Sequence, residues 1–331
     1  MNFDTCISHM VAPGTRRPRK YRQGVIQIHV TRACDKACFA CTQGSNLGGK
    51  SHFMPVQMFE DAVRSLGFGS SNPYFGVVGV FGGNPAVSPH FEGYCEVLQR
   101  HVPFEQRGLW CNNPLSLEKA QLMSKTFDPS VSNLNVHLDR DAYDLFRKGW
   151  PTAHIVGLTG DSRHSPVHLA AKDIVRKPDG EPDMERIWDA VSRCDINQNW
   201  SAMLAMFRGE LRAYFCEVAG AQSILHQDDA GYPDTGVDPA IRSSHGTPWW
   251  KWPMGPFAYQ VRKHCPECAV PLRGYGELSQ AVDGKEVTSE THRSIFRPKR
   301  QGREVVVATE LTQLGVGKLA LTTDYLGNAR K

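Results

Sequence analysis

Residues 24–41 decide the fold: Gly-Val-Ile-Gln-Ile-His-Val at 24–30 is followed at 34–41 by Cys-Asp-Lys-Ala-Cys-Phe-Ala-Cys. The first part is a short run rich in β-branched residues, which is typical of a buried strand. The second part places three cysteines, separated by three residues and then two, on the loop that leaves this strand. Cysteines clustered in this way predict metal binding or thiol chemistry rather than disulfides in a reducing compartment.

Strand and helix patterns alternate after this stretch. Helical spacing over 55–66 precedes an apolar strand at 75–81, which Gly-Gly-Asn-Pro at 82–85 closes. Further helix and strand patterns follow at 91–98, 108–111, 117–123, 134–138 and 142–146. This alternation predicts right-handed crossover units and a parallel sheet, either open or curled into a whole or partial barrel. In such sheets reactive groups collect on loops at the carboxyl ends of strands.

The pattern changes near residue 190, where we place a domain boundary. Residues 200–207 and 210–215 predict a hairpin around Arg208-Gly209, and a helix is predicted at 216–225. A connection rich in Gly, Pro, Asp and Trp then leads to Cys265 and Cys268. We therefore predict four segments: a basic flexible arm at 1–22, an α/β core at 23–190, a small α+β cysteine-containing region at 191–275 and a C-terminal extension at 276–331.

Composition narrows the class of protein. The 331 residues include 38 basic and 34 acidic side chains, and the net charge of +4 is too small to identify a nucleic-acid partner. No apolar run approaches the ~18 to 20 residues that cross a bilayer. The first 20 residues lack the pattern of a secretory signal. We therefore expect a cytoplasmic protein whose ten cysteines are not paired as disulfides.

The cysteine loop, with its aromatic residue Phe39, closely resembles the defining motif of the radical S-adenosylmethionine (radical SAM) enzymes. Thiolates from Cys34, Cys38 and Cys41 can bind three irons of a 4Fe-4S cluster and leave the fourth iron open. The resemblance implies that S-adenosyl-L-methionine binds this iron and is cleaved reductively to a 5′-deoxyadenosyl radical, which removes hydrogen from a substrate. It also implies a flavodoxin- or ferredoxin-type reductant. For residues 23–190 it implies a partial parallel (β/α)6 barrel. Structural zinc or plain thiols are the alternatives for this loop.

Further cofactor contacts are expected from the same resemblance. The residues Gly82, Gly83, Asn84 and Pro85 resemble the family's Gly-Gly-Glu-Pro element, whose backbone binds the amino group of the methionine moiety; Asn84 replaces the usual glutamate. Phe39 would lie near the adenine. Polar residues at later strand ends are candidates to meet ribose, carboxylate or substrate: Asn112, Asn113, His137 and Asp139. The alternatives are a tight turn at 82–85, a hydrophobic plug at Phe39 and satisfied turn residues elsewhere.

A second group of cysteines follows the predicted hairpin. Cys216 begins a helix, Cys265 and Cys268 form a pair, and Cys194 would complete a set of four. Four cysteines are the ligand set of a closed 4Fe-4S cluster or a structural zinc site. The arrangement partly resembles the SPASM and twitch extensions of radical SAM enzymes, which carry auxiliary iron-sulfur clusters. Three interpretations of this group are therefore possible: an auxiliary 4Fe-4S cluster, a zinc site, or buried cysteines that bind no metal.

Two functions from different classes follow. The first is a radical SAM oxidoreductase or isomerase that abstracts hydrogen from a sugar, a nucleotide or modified nucleobase, or a peptide, giving rearrangement, epimerisation or oxidation. Cys111, at a strand end, is a candidate hydrogen-atom donor, with a packed core thiol as the alternative. Aromatic and cationic side chains suit such a polar substrate or else pin an irregular loop: Trp200, Trp249, Trp250, Trp252, Arg242, His245, Lys251 and Arg262. The second function is a zinc-braced nucleic-acid-binding module that uses the basic residues of 16–22 and 293–303.

Overall fold

The computed structural model describes residues 1–16, 24–38, 41–45, 47, 51–158, 169–272, 285–295 and 304–307. Its main sheet contains seven strands, which are β1 Val25–Thr31, β2 Val77–Gly82, β3 Arg107–Cys111, β4 Asn133–Asn135, β5 Ile155–Val156, β6 Ser201–Phe207 and β7 Glu210–Tyr214. Their order is β5-β4-β3-β2-β1-β6-β7. Neighbouring strands are parallel except for the antiparallel pair β6 and β7.

Ten α-helices lie in the described part of the chain. They are α1 Phe3–His9, α2 Val56–Ser65, α3 Phe91–His101, α4 Leu117–Thr126, α5 Arg140–Gly149, α6 Ala171–Ile174, α7 Met184–Ser192, α8 Asp195–Asn199, α9 Glu217–Leu225 and α10 Ala258–His264. In α2, Phe59, Ala62 and Val63 have the spacing of one helix face, and all three are buried. None of the described helices has the length and apolar character needed to span a membrane.

The predicted α/β fold with a mostly parallel sheet is confirmed. Strands β1 to β5 follow one another across the sheet, and α2, α3, α4 and α5 lie in the four connections between them. The predicted six-unit barrel is not confirmed, because the sheet is open and β6 pairs with the free side of β1 instead of following β5. Strand β6 is buried almost throughout, which suits a central position between β1 and β7.

The predicted hairpin is confirmed, and it extends the main sheet. Phe207 pairs with Glu210 at the end of the ladder. The two residues between them, Arg208 and Gly209, have φ of 50° and 83°. Positive φ at both central residues is the mirror-image turn that matches the twist of a two-residue hairpin. A separate two-stranded parallel sheet joins β8 Lys285–Thr288 to β9 Glu304–Val307.

The first sixteen residues pack against the fold, so the prediction of a flexible arm is wrong for this part of the chain. Asn2 caps α1 by accepting a hydrogen bond from Thr5 N at 2.9 Å. The Phe3 ring meets Trp188 of α7 edge to face at 5.0 Å. Arg16 is only 1% exposed. Residues 17–22, the remainder of the predicted arm, lie outside the described residues, as does most of the predicted C-terminal extension.

Candidate functional site

The three-cysteine loop lies at the carboxyl edge of the main sheet. Strand β1 ends at Thr31, three residues before Cys34, and the neighbouring strands β2 and β3 end at Gly82 and Cys111. All three strands are parallel, so their carboxyl ends meet at the same edge. The loop, the Gly-Gly-Asn-Pro segment and the pair Asn112-Asn113 therefore come together, as expected for a site built from strand ends.

Cys34, Cys38 and Cys41 are half-buried. The Cys34 sulfur accepts hydrogen bonds from the backbone N of Lys36 and from Nδ2 of Asn112, each at 3.4 Å. Burial raises the pKa of the Cys34 thiol to about 11, and these two donors act in the opposite direction. Donors aimed at a sulfur stabilise its thiolate, which is the form that binds metal.

The chemistry of this loop fits an iron-sulfur cluster by its donor set. Three thiols follow one strand end, and N–H donors point at one of the sulfurs. Among the described residues, no three His, Cys, Asp or Glu side chains are arranged to hold a single metal ion. In a cubane each thiolate binds a different iron atom, so its ligands do not converge on one point. Phe39, the predicted adenine contact, lies outside the described residues.

Gly82 and Gly83 bring the end of β2 into tight contact with the chain that leaves β1. Gly83 N donates to Thr31 O at 2.7 Å, and Asn84 N donates to Ala33 O at 2.8 Å. A Cβ on Gly82 would lie 2.2 Å from Thr31 O, and one on Gly83 would lie 2.3 Å from Ala33 O. Only glycine allows this approach. An amino group in its charged form can only donate hydrogen bonds, so one bound here would use backbone carbonyl oxygens.

The fully buried Asn84 connects three strand ends through its side chain. Its Nδ2 donates to Asp35 Oδ1 at 2.8 Å and to Asn113 O at 2.9 Å. Its Oδ1 accepts from Ala86 N at 3.1 Å and from Cys111 Sγ at 3.2 Å. A glutamate here would have no N–H to donate and would face the carboxylate of Asp35. The presence of asparagine rather than glutamate at this position thus has a local physical reason.

Asn113 and Cys111 belong to the same hydrogen-bond network. Asn113 Nδ2 donates to Asp35 Oδ2 at 3.0 Å. Cys111 is buried, and its single S–H has two acceptors within reach, Asn84 Oδ1 at 3.2 Å and Asn113 O at 3.3 Å. Burial raises the pKa of Cys111 to about 12, so this thiol is protonated at neutral pH. The structure places Cys111 beside the cysteine loop, and its role as a hydrogen-atom donor remains a prediction.

The connection between β4 and α5 contacts the cysteine loop through an ion pair. Lys36 of the loop pairs with Asp139, which also caps α5 by accepting from Ala142 N at 2.9 Å. The backbone bond from Ala142 and then Lys36 lower the pKa of the Asp139 carboxyl. The preceding His137 and Leu138 have φ of 47° and 65°, an uncommon conformation for residues other than glycine. The predicted site residue His137 therefore lies in a strained turn at the same edge.

Two neighbouring histidines, the buried His29 and the half-buried His52, were not among the predicted site residues. His29 of β1 is 1% exposed, and neither of its ring nitrogens has a hydrogen-bond partner. Burial, followed by the charges of His52 and Arg32, lowers its pKa to about 3, so the ring is neutral. The His52 ring lies 6.3 Å from it and shares a 2.7 Å hydrogen bond with Gln227. The sequence signal that could have identified His29 is the alternation of Gln27, His29 and Thr31 with isoleucine and valine along β1, which puts these polar residues on one face of the strand.

The four cysteines of the predicted second site line one cavity. Cys194 precedes α8, Cys216 is the N-cap of α9, and Cys265 and Cys268 follow α10. Each is 5 to 7% exposed. The empty space around these residues is about 310 Å³, part of which is open to solvent. Burial raises the pKa of every one of these thiols, and neighbouring sulfurs add to the effect at Cys216, Cys265 and Cys268.

The segment that carries Cys265 and Cys268 is fixed by polar contacts on its outer side. Glu267, between the two cysteines, pairs with Lys172 at 2.9 Å and with Lys263 at 3.1 Å. Its carbonyl oxygen accepts from Gln222 Nε2 at 2.9 Å and contacts His292 Nε2 at 2.6 Å. A fifth buried cysteine, Cys6 of α1, lies within electrostatic range of Cys194 and Cys265. The sequence indicates no partner for Cys6, because Cys194 and Cys265 lie 188 and 259 residues further along the chain.

The tryptophans near the second cysteine group pack inside the fold. Trp249 and Trp250 are buried, and the Trp250 ring meets Tyr74 at 5.3 Å. Trp249 Nε1 donates to Ser65 Oγ at 3.4 Å. The guanidinium of Arg262 covers the Phe3 ring at 4.1 Å. These contacts support the interpretation that the side chains pin an irregular connection rather than form an open substrate surface.

The chain has few detectable similarities to known proteins. No protein-family model and no curated protein match the chain. Among solved structures the chain is similar to BtrN, solved in complex with AdoMet and 2-DOIA. The identity is 15%, the match covers 63% of this chain and 82% of BtrN, and the TM-score is 0.38. A likeness this distant carries no functional argument.

Proposed function

We propose that this chain is a radical SAM enzyme in which Cys34, Cys38 and Cys41 hold a 4Fe-4S cluster with one open iron. The observation that carries the proposal is the position of the three-cysteine loop. It leaves the first parallel strand, contacts the Gly82-Gly83 segment at the end of the second, and receives a hydrogen bond from Asn112 at the end of the third. This is the edge at which parallel sheets bind ligands.

The cluster and S-adenosyl-L-methionine supply one-electron cleavage of a sulfonium bond and hydrogen abstraction when both are bound. The protein's own residues hold the loop and shield the site. Asn84 and Asn113 fix the loop through Asp35, and Lys36 ties it to Asp139. The carbonyls of the Gly82-Gly83 segment are the acceptors proposed for the methionine amino group.

We also propose a second 4Fe-4S cluster at Cys194, Cys216, Cys265 and Cys268. Its support is the convergence of these four thiols on one buried cavity from separate parts of the chain. Four cysteines suit a closed cluster, with structural zinc as the competing occupant. The SPASM or twitch character of residues 191–275 belongs to this proposal, as does an electron supply from a flavodoxin- or ferredoxin-type protein.

The proposed substrate is a polar molecule, such as a sugar, a nucleotide or modified nucleobase, or a peptide. Its support is a neutral polar group on the strand that leads to the cysteine loop: Gln27 and His29 are buried, and the half-buried His52 ring lies beside His29. The Gln27 side-chain oxygen and both His29 ring nitrogens lack hydrogen-bond partners. Neutral donors and acceptors suit hydroxyl and amide groups. Rearrangement, epimerisation or oxidation would follow hydrogen abstraction.

The alternative function as a zinc-braced nucleic-acid-binding module has less support. Arg16, the first residue of the basic stretch, is buried rather than offered to a polyanion. Arg293 is exposed and lies 3.5 Å from Glu290. The other cations invoked for this function lie outside the described residues.

The test is release of 5′-deoxyadenosine by anaerobically reconstituted protein supplied with S-adenosyl-L-methionine and dithionite. Wild type should release it, and Cys38→Ala should reduce release to background because the cluster loses a ligand. The matched control is Cys95→Ala, which removes a buried thiol on α3 and should retain release. A wild-type protein that contains iron but releases no 5′-deoxyadenosine would overturn the proposal.

A further inference from the structure

We propose that Arg16 is a positioning residue of the second cysteine site, where its buried guanidinium is the charge partner of the cysteine thiolates. Through this charge it would raise the reduction potential of the cluster bound there. The inference rests on the proposed function, since it requires a cluster at Cys194, Cys216, Cys265 and Cys268. Nothing in the sequence pattern connects Arg16 with these cysteines, which begin 178 residues later.

The burial of Arg16 demands an explanation. The residue is 1% exposed and is among the largest fully buried side chains described. An ionised group removed from water costs several kcal/mol unless it is paired and hydrogen-bonded. Arginine stays charged in proteins, so it cannot escape this cost by losing its proton.

The hydrogen bonds of Arg16 do not neutralise its charge. Nη1 donates to Ser201 O at 3.1 Å, and Nη2 donates to Val11 O at 3.4 Å. The Nε atom is buried without a hydrogen-bond partner. In the described part of the chain, no carboxylate lies within the 4.0 Å of an ion pair with this guanidinium. Both acceptors are neutral carbonyls, so the counter-charge must come from elsewhere.

Two groups near Arg16 can supply negative charge: the buried Glu217 carboxylate and, once they are thiolates, the cysteines of the second site. Arg16 lies within electrostatic range of Cys216, Cys194 and Cys265. Its partner Ser201 also donates through Oγ to the buried carboxylate of Glu217, the residue after Cys216. The guanidinium and the cavity wall are thus connected by a short chain of contacts through the start of β6.

A cluster held by four thiolates brings several negative charges into a buried site, and reduction adds one more. A fixed cation nearby favours both the thiolate form and the added electron, because charges interact strongly away from water. Cluster potentials depend on net charge, hydrogen bonds and exposure. Removing the Arg16 charge should therefore shift the midpoint potential of the second cluster to more negative values.

The test measures this potential by EPR-monitored redox titration of the full-length chain. A parent variant, C34A/C38A/C41A, isolates the second cluster and should contain about four irons. In this parent, Arg16→Gln should shift the midpoint potential negatively, while Arg16→Lys should stay close to the parent. The matched control is Arg107→Gln, because Arg107 also donates to backbone carbonyls, at Val102, Thr126 and Gln99, but has no cysteine among its electrostatic neighbours.

The outcomes separate the two proposals. If the parent variant binds no iron, or binds zinc, both the second cluster and the role of Arg16 are overturned. The first cluster is then still tested separately, by release of 5′-deoxyadenosine from the wild-type protein. A parent with about four irons whose potential is unchanged by Arg16→Gln overturns the role of Arg16 alone. If Arg16→Gln does not fold, Arg16→Met replaces it in the same titration, since it keeps a long side chain without the charge. An unchanged midpoint potential in Arg16→Met would count against Arg16.

Discussion

At the scale of single residues, Asn84 shows how an amide and a carboxylate differ in a buried network. Its side chain donates to Asp35 and to Asn113 O and also accepts two hydrogen bonds. A carboxylate can only accept. Asparagine therefore satisfies the hydrogen-bonding groups around this position. A glutamate here would need a hydrogen-bond donor in place of the Asp35 carboxylate.

Asn84→Glu should lower the free energy of unfolding by about 1 to 3 kcal/mol, because donor bonds are lost and two carboxylates face each other. Asp35→Asn, added to Asn84→Glu, should recover part of the loss by placing an amide opposite the new carboxylate. Urea denaturation of the two variants measures both effects. Equal stability of Asn84→Glu and wild type would show that the network contributes nothing.

His29 gives the protein a predicted pH dependence. Its pKa is about 3 in the folded protein, against an ordinary value of 6.5, because burial disfavours the charged ring. The unfolded chain therefore binds the proton first as pH falls. The stability contributed by neutral His29 is fully present above pH 6.5 and is lost as pH falls towards 3.

Between pH 7 and pH 5, wild type should lose about 2 kcal/mol more stability than His29→Gln, which cannot titrate. The comparison uses denaturant unfolding at both pH values, and the difference between the two slopes isolates His29 from other groups. Parallel slopes for the two proteins would contradict the assigned burial of a neutral ring.

At the scale of elements, the local sequence patterns predicted individual helices and strands better than they predicted the order of strands in the sheet. The hairpin follows from two apolar runs around Arg208-Gly209, and α2 follows from the spacing of its apolar residues. The position of β6 cannot be predicted from these local patterns, because a parallel crossover can return to either side of β1. The local pattern also misassigned residues 13–16. The prolines and cations of this stretch suggested exposure, but Arg16 contacts Ser201 and Gly14 lies against Trp250, both distant in sequence.

The junction between β1 and β2 depends on Gly83. Gly83→Ala should lower the free energy of unfolding by about 1 to 3 kcal/mol, because its Cβ would overlap Ala33 O in a backbone contact that cannot easily move. Gly255→Ala is the control, since a Cβ there meets no atom within 4 Å. Thermal unfolding compares the two. A tolerated Gly83→Ala would mean that the two strand ends are less closely joined.

Helix α1 is predicted to stabilise the fold through its contact with α7. Phe3→Ala should lower the free energy of unfolding by about 1 to 2 kcal/mol, because it removes a half-buried ring from Trp188 and Arg262. Ser8→Ala, on the exposed side of the same helix, should change stability little. Chemical denaturation of both variants distinguishes a docked helix from a loosely attached one.

At the scale of the whole molecule, the two cysteine groups differ in how well the sequence indicates them. The first lies within eight residues, so its spacing alone predicts a site. The second gathers cysteines from 194 to 268, and only the packing of α8, α9 and α10 brings them to one cavity. Arg16 and Cys6 could not be assigned to it, because their proximity depends on how the N-terminal residues pack.

The central claim is that two separate sets of cysteines hold two iron-sulfur clusters, the first of them with an open iron. The most direct measurement is iron and acid-labile sulfide per chain in anaerobically reconstituted protein. We expect about eight of each in wild type, about four in C34A/C38A/C41A and about four in C265A/C268A. A wild-type chain that binds no iron after reconstitution would contradict the account.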